Sequence, residues 1–258
     1  MIHIENVSEI YTPRNLMIWL ISAFKSGFIN SVGLLMTGKF VSHVTGFGTQ
    51  IGMAVGHEDF FFGAELLIIP VSFIGGGVLT SYILENRKSP EEIPTYHLVQ
   101  GLITLLLGAI LLLVESGVVS SKESFDLDNN YNFIEFMIIG ILCLVCGLKN
   151  ALTTWSSFGK IRVTHLTGIS TDIGLNLLRT FNPKFPTSRF KEERIVNLSR
   201  ILIFFCFSLG AYLSAVTFSV VGYKAFYLIF SLSLFMSVIS FLDHQKLKEG
   251  QAEFLSRV

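Results

Sequence analysis

Six apolar runs, each close to the length of a membrane-spanning helix, constrain this chain more than any other feature of its sequence. A helix needs about 20 mostly apolar residues to cross the roughly 30 Å hydrocarbon layer of a bilayer. Of the 258 residues, 51% are hydrophobic and only 15% are charged, so little polar sequence separates the runs. They predict an all-α fold, a polytopic bundle of transmembrane helices that forms a single membrane domain over residues 1–258. The runs are 15–36, 64–84, 96–115, 133–155, 195–218 and 222–242.

A duplicated motif divides the chain into two halves. Residues 43–52 read HVTGFGTQIG and residues 165–174 read HLTGISTDIG, which align at a constant offset of 122 positions. Upstream of each copy, GFINS at 27–31 matches GLKNA at 147–151. The pattern predicts two repeat units, one of about residues 15–116 and one of about residues 133–242. In membrane proteins such internal symmetry is typical of transporters, with the site between the repeats.

Basic residues indicate how the repeats cross the membrane. The motif segments 41–56 and 164–180 have 16 and 17 residues, too few for a confident span. If neither crosses, 14 Lys and Arg residues lie on the cytoplasmic side and 3 outside; if both cross, the better division is 11 against 6. Because loops rich in Lys and Arg stay cytoplasmic, six spans with both termini in the cytoplasm are favoured. Three spans per unit make the repeats inverted, each with one short re-entrant or broken helix; whether 41–56 and 164–180 span or re-enter stays open.

The motifs have the composition of backbone that leaves regular helix at membrane depth, which is tolerated only against protein or water. Gly38 and Gly159 are expected to end the preceding helices. Thr45 and Thr167 are expected to cap the helices that follow. If both short helices begin at the centre, their N-termini suit an anion or a polar carbonyl group.

The candidate site combines the polar residues of the motifs with polar residues of the neighbouring spans. Polar groups at membrane depth are costly and usually functional, although close packing through small residues also explains the Thr and Gly positions. Lys149 and Asp172, the two charges that only the second copy has, are expected to form a pair. The predicted substrate-binding residues are His43, Thr45, Thr49, Gln50, His165, Thr167, Thr171, Asp172, Asn30, Lys149 and Asn150.

No catalytic residue, metal ligand or cofactor is predicted. Cys143 and Cys146 form a CxxC pattern inside an apolar run, where buried cysteine acting as a small hydrophobic residue is the ordinary interpretation. The chain lacks P-loop, dinucleotide-binding, HExxH and GxSxG motifs. Its net charge of zero gives no indication of nucleic-acid binding.

The favoured function is a small-solute transporter or channel with a midplane site between the two HxTGxxT motifs, with proton coupling as an additional expectation. Its partners would be the lipid bilayer and a small polar or anionic solute, and association into a homo-oligomer stays open. One alternative is a membrane-embedded enzyme with His165 and Asp172 as an acid–base pair. Another is a non-catalytic scaffold whose basic segment 181–194 binds a partner or anionic lipid.

The two copies also resemble the signatures of a known family. G-F-I-N at 27–30 with Gly38, and G-L-K-N-A-L at 147–152 followed by R-V-T-H-L-T-G-I-S-T-D-I-G at 162–174, are similar to those of the YoaK-like family of uncharacterised bacterial membrane proteins. The resemblance covers roughly residues 15–242. It implies an inner-membrane protein of about six helices and brings no established substrate or activity. Asn30 and Lys149 depart from the family, which often has Asp and Gln there.

Overall fold

The computed structural model describes residues 7–87, 92–118, 133–181 and 190–256. Within these ranges the chain is helical, with short connecting turns and no strand. A 3-10 turn, Val7–Tyr11, precedes the first α-helix, and a second, Gly222–Ala225, joins the last two. The α-helices are α1 Pro13–Thr37, α2 Val44–Gly56, α3 Phe60–Leu66, α4 Ile68–Glu85, α5 Tyr96–Glu115, α6 Phe133–Ser156, α7 Leu166–Phe181, α8 Phe190–Val221 and α9 Phe226–Ser256.

Five helical stretches of the described chain are long and apolar enough to cross a membrane: Pro13–Thr37, Phe60–Glu85, Tyr96–Glu115, Phe133–Ser156 and Glu193–Glu253. The prediction of a multi-pass helical membrane protein is therefore confirmed. The first four stretches each contain one predicted run. Runs 195–218 and 222–242 both fall in the fifth, because the 3-10 turn carries the helical path from α8 to α9 without a loop. Gly222 makes that turn with φ 58°.

Two glycines end the helices that precede the motifs, as the sequence predicted. Gly38 follows α1 with φ 68°, and its N–H donates to the Leu34 carbonyl at 2.8 Å. Gly159 follows α6 with φ 77°. Positive φ is a conformation that glycine adopts without steric cost. Each long helix therefore stops, and a short extended segment leads into α2 or α7.

The two repeat units interlock. Helix α1 of the first unit packs on α8 of the second, and α6 of the second unit packs on α4 of the first. Gly27 of α1 lies against the backbone of Phe207, and Gly147 of α6 lies in the same way against the backbone of Phe73. Since Gly27 and Gly147 are equivalent in the duplication, the two crossings are copies of each other.

The last helices of the two units, α5 and α9, run in opposite directions. Helices α5 and α9 are in contact along their lengths. A Cβ placed on Gly101 of α5 would lie 3.8 Å from the Ser237 hydroxyl of α9, and one placed on Gly108 would lie 3.1 Å from the Phe230 ring. Position increases along α5 while it decreases along α9, so the pair is antiparallel.

Side-chain contacts show which helix termini share one end of the bundle. At one end, the Arg14 guanidinium and the Asp243 carboxylate lie 2.8 Å apart, which joins the start of α1 to α9. There the rings of Tyr96 and Trp155 lie 5.8 Å apart, which joins the start of α5 to the end of α6. At the opposite end, Glu115 at the end of α5 lies within electrostatic range of Tyr227 at the start of α9.

Part of the predicted basic segment 181–194 lies outside the described residues, namely positions 182–189, and the same holds for most of the loop between α5 and α6.

Candidate functional site

The first turns of α2 and α7 line one cavity of about 410 Å³. The duplicated motifs therefore meet across a shared space. Its walls combine two asparagines and several hydroxyl and imidazole groups with apolar side chains, and none of its described lining residues is Asp, Glu, Lys or Arg. We call it the central cavity, and its lining residues are Asn30, Phe40, Ser42, His43, Val44, Thr45, Phe73, Asn150, Thr164, His165, Leu166, Thr167 and Phe207.

Six of the eleven predicted site residues line this cavity, as three pairs that are equivalent in the duplication. The pairs are Asn30 with Asn150, His43 with His165, and Thr45 with Thr167. The other five predicted residues, Thr49, Gln50, Lys149, Thr171 and Asp172, lie elsewhere among the described residues.

The histidine of each motif lies over the first turn of the helix that follows. The His43 carbonyl accepts the N–H of Phe47 at 3.4 Å, and the His165 carbonyl accepts the N–H of Ile169 at 3.2 Å. A Cβ at Gly168 would meet His165 Nδ1 at 2.6 Å, and one at Gly46 would overlap the His43 ring. The invariant spacing of His and Gly in the two copies therefore has a steric reason, since only glycine leaves room for the imidazole.

Two further cavities flank the central one, and these also are copies of each other. The first, of about 330 Å³, is lined by Leu34, Gly38, Lys39, Phe40, His43, Gly46, Phe47 and Gln50. The second, of about 310 Å³, is lined by Gly159, Lys160, Ile161, Arg162, His165, Gly168, Ile169, Asp172, Arg200 and Ile203. We call them the Lys39 cavity and the Arg200 cavity. His43 lines both the Lys39 cavity and the central cavity, and His165 lines both the Arg200 cavity and the central cavity.

The flanking cavities differ in charge. Lys39 is the one charged residue among the described residues that line the first, and partial burial lowers the pKa of its amine. The second brings Lys160, Arg162 and Arg200 together with Asp172. Gln50 and Asp172, which are equivalent in the duplication, thus each lie in a flanking cavity and not in the central one.

The two asparagines of the central cavity are in different hydrogen-bonding states. Asn30 Oδ1 accepts from the backbone N–H of Ser42 at 3.1 Å and lies 2.9 Å from the Ser42 hydroxyl, which holds the segment before α2 against α1. Asn150 Oδ1 is buried and has no hydrogen-bond partner among the residues that the structure describes. Thr164 stands at the position equivalent to Ser42 and lines the same cavity. Buried acceptors are nearly always satisfied, so the unpaired Asn150 oxygen is an open acceptor at the cavity.

The expected pair of Lys149 and Asp172 is wrong. Asp172 Oδ2 lies 3.1 Å from the Arg200 guanidinium, near the start of α8. The Lys149 amine instead donates to the Ser22 carbonyl of α1 at 3.2 Å, with 4% of the residue exposed. The two side chains point to different neighbours. Lys149 of α6 points into the core toward α1, whereas Asp172 of α7 points toward α8.

The expected caps at Thr45 and Thr167 are also wrong. His43 is the residue before the first turn of α2, and no side chain caps that turn. Thr45 and Thr167 lie within the first turns of α2 and α7, where they face the central cavity. The hydroxyls of Thr49 and Thr171 donate to the carbonyls of Thr45 and Thr167, four residues earlier in the same helix.

A polar cluster in the core contains a second buried lysine. Lys25 is 1% exposed, and its amine lies 3.1 Å from the Ser233 hydroxyl. Gln100 and Thr104 of α5 also contact that hydroxyl, at 3.2 and 3.0 Å. No Asp or Glu of the described residues forms an ion pair with Lys25 or Lys149. The cluster joins α1, α5 and α9 through neutral polar groups.

The CxxC cysteines are buried and unpaired, which confirms the interpretation of Cys143 and Cys146 as core residues. In the described part of the chain no group of three His, Cys, Asp or Glu side chains is placed to hold a metal ion.

Sequence reasoning missed several lining residues of these cavities. Ser42 and Thr164 share the 122-residue offset of the motif, so the duplication itself could have indicated them. Phe73 and Phe207 come from α4 and α8, and Arg200 also comes from α8. No local pattern marks these three positions, because Phe73 and Phe207 reach the central cavity through packing between the units and Arg200 reaches its cavity through the packing of α8 on α7.

Comparison with curated proteins and with solved structures found no significant match. The profile of the family described as "Protein of unknown function (DUF1275)" matches residues 18–239, which include all three cavities' lining residues. This agrees with the resemblance to uncharacterised membrane proteins. The match covers most of the chain, and this multi-pass membrane protein therefore belongs to the DUF1275 family.

Proposed function

We propose that the protein is a small-solute transporter or channel whose binding site is the central cavity. One observation carries the proposal: both copies of the motif contribute their first helical turns to a single cavity of about 410 Å³. That volume lies in the range of small-molecule sites. A shared site between two repeats is the arrangement common among secondary transporters.

The lining of the cavity suits a small polar or anionic solute. The free N–H groups at the starts of α2 and α7 attract negative charge or a polar carbonyl oxygen. Asn150 Oδ1, which no described residue contacts with a hydrogen bond, would accept one from a solute N–H or O–H group. Phe73 and Phe207 supply apolar walls. The solute would therefore need at least one acceptor and one donor, and little bulk.

The three cavities suggest the route of the solute. His43 separates the Lys39 cavity from the central cavity, and His165 separates the central cavity from the Arg200 cavity. Rotation of either imidazole would join two neighbouring spaces. An imidazole ring has one nitrogen that donates and one that accepts a hydrogen bond, so the same two residues are the proposed means of proton coupling.

The asymmetry of the asparagines fits a protein that opens one side at a time. On the first side, Asn30 holds the segment before α2 through Ser42. On the second side, Asn150 makes no corresponding bond to Thr164. We interpret the first unit as closed, because its segment before α2 is held by Asn30. We interpret the second unit as open, because Asn150 does not hold its segment before α7.

The proposal includes an inverted architecture with two re-entrant helices. The antiparallel contact of α5 with α9 supports it, because a two-fold axis makes equivalent helices antiparallel when it lies perpendicular to them. Helix α2 begins at the central cavity and ends beside Lys39, which follows α1, since Lys39, Met53 and His57 line one surface pocket. Such a path leaves one end of the bundle and returns to it.

The orientation follows from the distribution of basic residues. Arg14, Arg87 and Lys246 belong to the helix termini at the end of the bundle where Arg14 meets Asp243. We place that end in the cytoplasm, following the positive-inside rule. The Arg200 cavity then opens toward the cytoplasm and the Lys39 cavity toward the other side of a bacterial inner membrane.

The enzyme alternative has less support. Its acid–base pair required His165 and Asp172 to act together, whereas the Asp172 carboxylate pairs with Arg200. The central cavity also has no Cys, Asp or Glu among its described lining residues. Transport needs neither a nucleophile nor an acid.

Osmotic swelling of proteoliposomes during solute entry tests the proposal. Purified protein in liposomes would be mixed with urea, glycerol, formate, acetate or inorganic phosphate, with and without an imposed pH gradient, and entry followed by light scattering. We expect faster entry of at least one of these solutes than in protein-free liposomes. Asn150→Ala should slow that entry about tenfold, equivalent to about 1.4 kcal/mol.

Thr171→Ala is the control. Thr171 lies one turn after the cavity-lining Thr167 in α7, and its hydroxyl donates to the Thr167 carbonyl of the same helix. The substitution should leave entry unchanged. If no solute of the panel enters faster than in protein-free liposomes although the protein is folded, the proposal fails. Equal losses in Asn150→Ala and Thr171→Ala would place the site outside the central cavity.

A further inference from the structure

We propose that the Arg200 cavity is a second binding site, specific for a phosphate group. The site is distinct from the central cavity. Its occupant is a free phosphate or the phosphate of a lipid headgroup, since both present the same chemistry. Binding there does not depend on transport, so the inference stands or falls independently of the proposed function.

The charge of the cavity is the first argument. Lys160, Arg162 and Arg200 line it with one carboxylate, that of Asp172, so the formal charge of these four side chains is +2. A phosphate group carries about −1.5 to −2 at pH 7 and offers three acceptor oxygens. The cavity of about 310 Å³ has room for such a group.

The comparison of the two repeat units is the second argument. Arg200 stands 134 positions after Leu66, the same offset that separates the equivalent pair Phe73 and Phe207. Leu66 is buried and apolar. The duplication therefore supplies a reference cavity of the same construction, with Gly, Lys, His and Gly at equivalent positions but without the arginines. The two arginines of the Arg200 cavity are therefore not a consequence of the fold, and this difference between the copies needs a reason of its own.

The state of Arg200 is the third argument. Its side chain is 22% exposed and its one ion pair with a described residue is the 3.1 Å contact with Asp172. A guanidinium has five N–H donors in a planar fork that matches phosphate oxygens. Asp172 holds the guanidinium in place and occupies part of this capacity, and the remaining donors are available to a ligand.

Tyr11 adds a neutral donor close to the same charges. It lies in the 3-10 turn before α1, within electrostatic range of both Arg200 and Asp172. Burial raises the pKa of its phenol, with Arg200 opposing and Asp172 adding to that shift. The phenol therefore keeps its proton at neutral pH and can donate a hydrogen bond.

Equilibrium binding of radiolabelled inorganic phosphate to the purified full-length protein at low ionic strength tests the site. The protein would be held in micelles of a maltoside detergent, which carry neither phosphate nor net charge. We expect saturable binding that Arg200→Gln and Arg162→Gln each weaken at least tenfold. Lys39→Gln alters the reference cavity and should change the affinity by less than about twofold.

Asp172→Asn gives a prediction of opposite sign. Removal of the one carboxylate should strengthen phosphate binding about fivefold, the effect of one unit charge at about 4 Å in water. A cation site would respond with a loss. Asp172→Asn replaces one carboxylate oxygen by an amide group of nearly the same size, so it also serves as a test if Arg200→Gln fails to fold. Arg200→Lys is a further conservative variant that should retain part of the affinity.

Nanodiscs that contain phosphatidylglycerol distinguish the two sources. Free phosphate binding that persists there identifies a soluble phosphate as the occupant, and displacement of phosphate by the lipid identifies the headgroup. Absence of saturable binding in the maltoside micelles, weaker binding in Asp172→Asn, or an equal loss in Lys39→Gln would each overturn the proposal.

Discussion

Gly46 and Gly168 occupy the position in each motif where the fold leaves no room for a side chain. Each lies under the imidazole of the histidine three residues before it. Packing against the glycine therefore restricts the ring position, and each histidine lines two cavities. The proposed function therefore depends on the contact between each imidazole ring and a glycine that has no side chain.

Gly168→Ala should move the His165 ring and impair solute entry without unfolding the protein. The added methyl group costs packing energy, but alanine favours the helix by about 1 kcal/mol over glycine, so stability should change little. Solute entry into proteoliposomes is expected to fall about tenfold, or about 1.4 kcal/mol. Gly174→Ala in the same helix has open space for its methyl group and is the control. Unchanged entry in Gly168→Ala would contradict the role of the ring position.

Lys149→Met should not destabilise the protein. The amine is buried, has no carboxylate partner among the described residues, and makes one hydrogen bond, to the Ser22 carbonyl. Replacement of buried charged groups by apolar side chains of similar volume is often stabilising. We expect the free energy of unfolding in detergent to rise by about 1 kcal/mol.

The combination of Lys149→Met with Asp172→Asn should be additive within about 0.5 kcal/mol, because the two side chains have different partners. A coupling larger than that, measured by a double-mutant cycle on thermal unfolding, would show that the two residues do interact.

At the scale of helices, the bundle is held by two crossings where backbones touch. Gly76 of α4 has the Leu144 carbonyl and the Leu148 N–H within 2.5 Å of where a Cβ would stand, whereas its neighbour Gly77 has open space. Helix pairs in membranes commonly approach through small residues in this way. The run of three glycines in α4 therefore serves packing at one position and leaves another free.

Gly76→Ala should destabilise the protein by about 2 kcal/mol, since a methyl group there would force α4 and α6 apart. Gly77→Ala, one residue further on, should be neutral or slightly stabilising. Thermal unfolding of the two variants in the same detergent measures the difference. Equal melting temperatures would show that the α4–α6 crossing is looser than described.

The sequence was sufficient for the elements and for part of the site. Apolar length predicted α1, α5 and α6 closely, and the duplication predicted that His43, Thr45, His165 and Thr167 would lie together. These inferences depend on residues near each other in sequence or related by one offset. The partner of Asp172 could not be predicted in this way, because Arg200 reaches it from another helix through the packing of α7 on α8. The apolar runs 195–218 and 222–242 indicated the junction of α8 and α9, but not that a 3-10 turn would continue the helical path through it.

At the scale of the whole molecule, the account rests on two halves that interlock and face opposite sides of the membrane. Helix α1 packs on α8 and α6 on α4, so neither unit forms a separate body. The central cavity lies between the units, and each flanking cavity belongs to one of them. A movement of one unit relative to the other would therefore change the central cavity, which both units line, and leave the lining of each flanking cavity unchanged.

The sidedness of α2 and α7 tests this account most directly. Single cysteines in place of His57, after the end of α2, and Leu178, near the end of α7, would be labelled with a membrane-impermeant maleimide. The background would carry Cys206→Ala, since Cys143 and Cys146 are fully buried. The account predicts labelling of His57→Cys only from outside the cell membrane and of Leu178→Cys only from the cytoplasmic side, and labelling of both from the same side would contradict it.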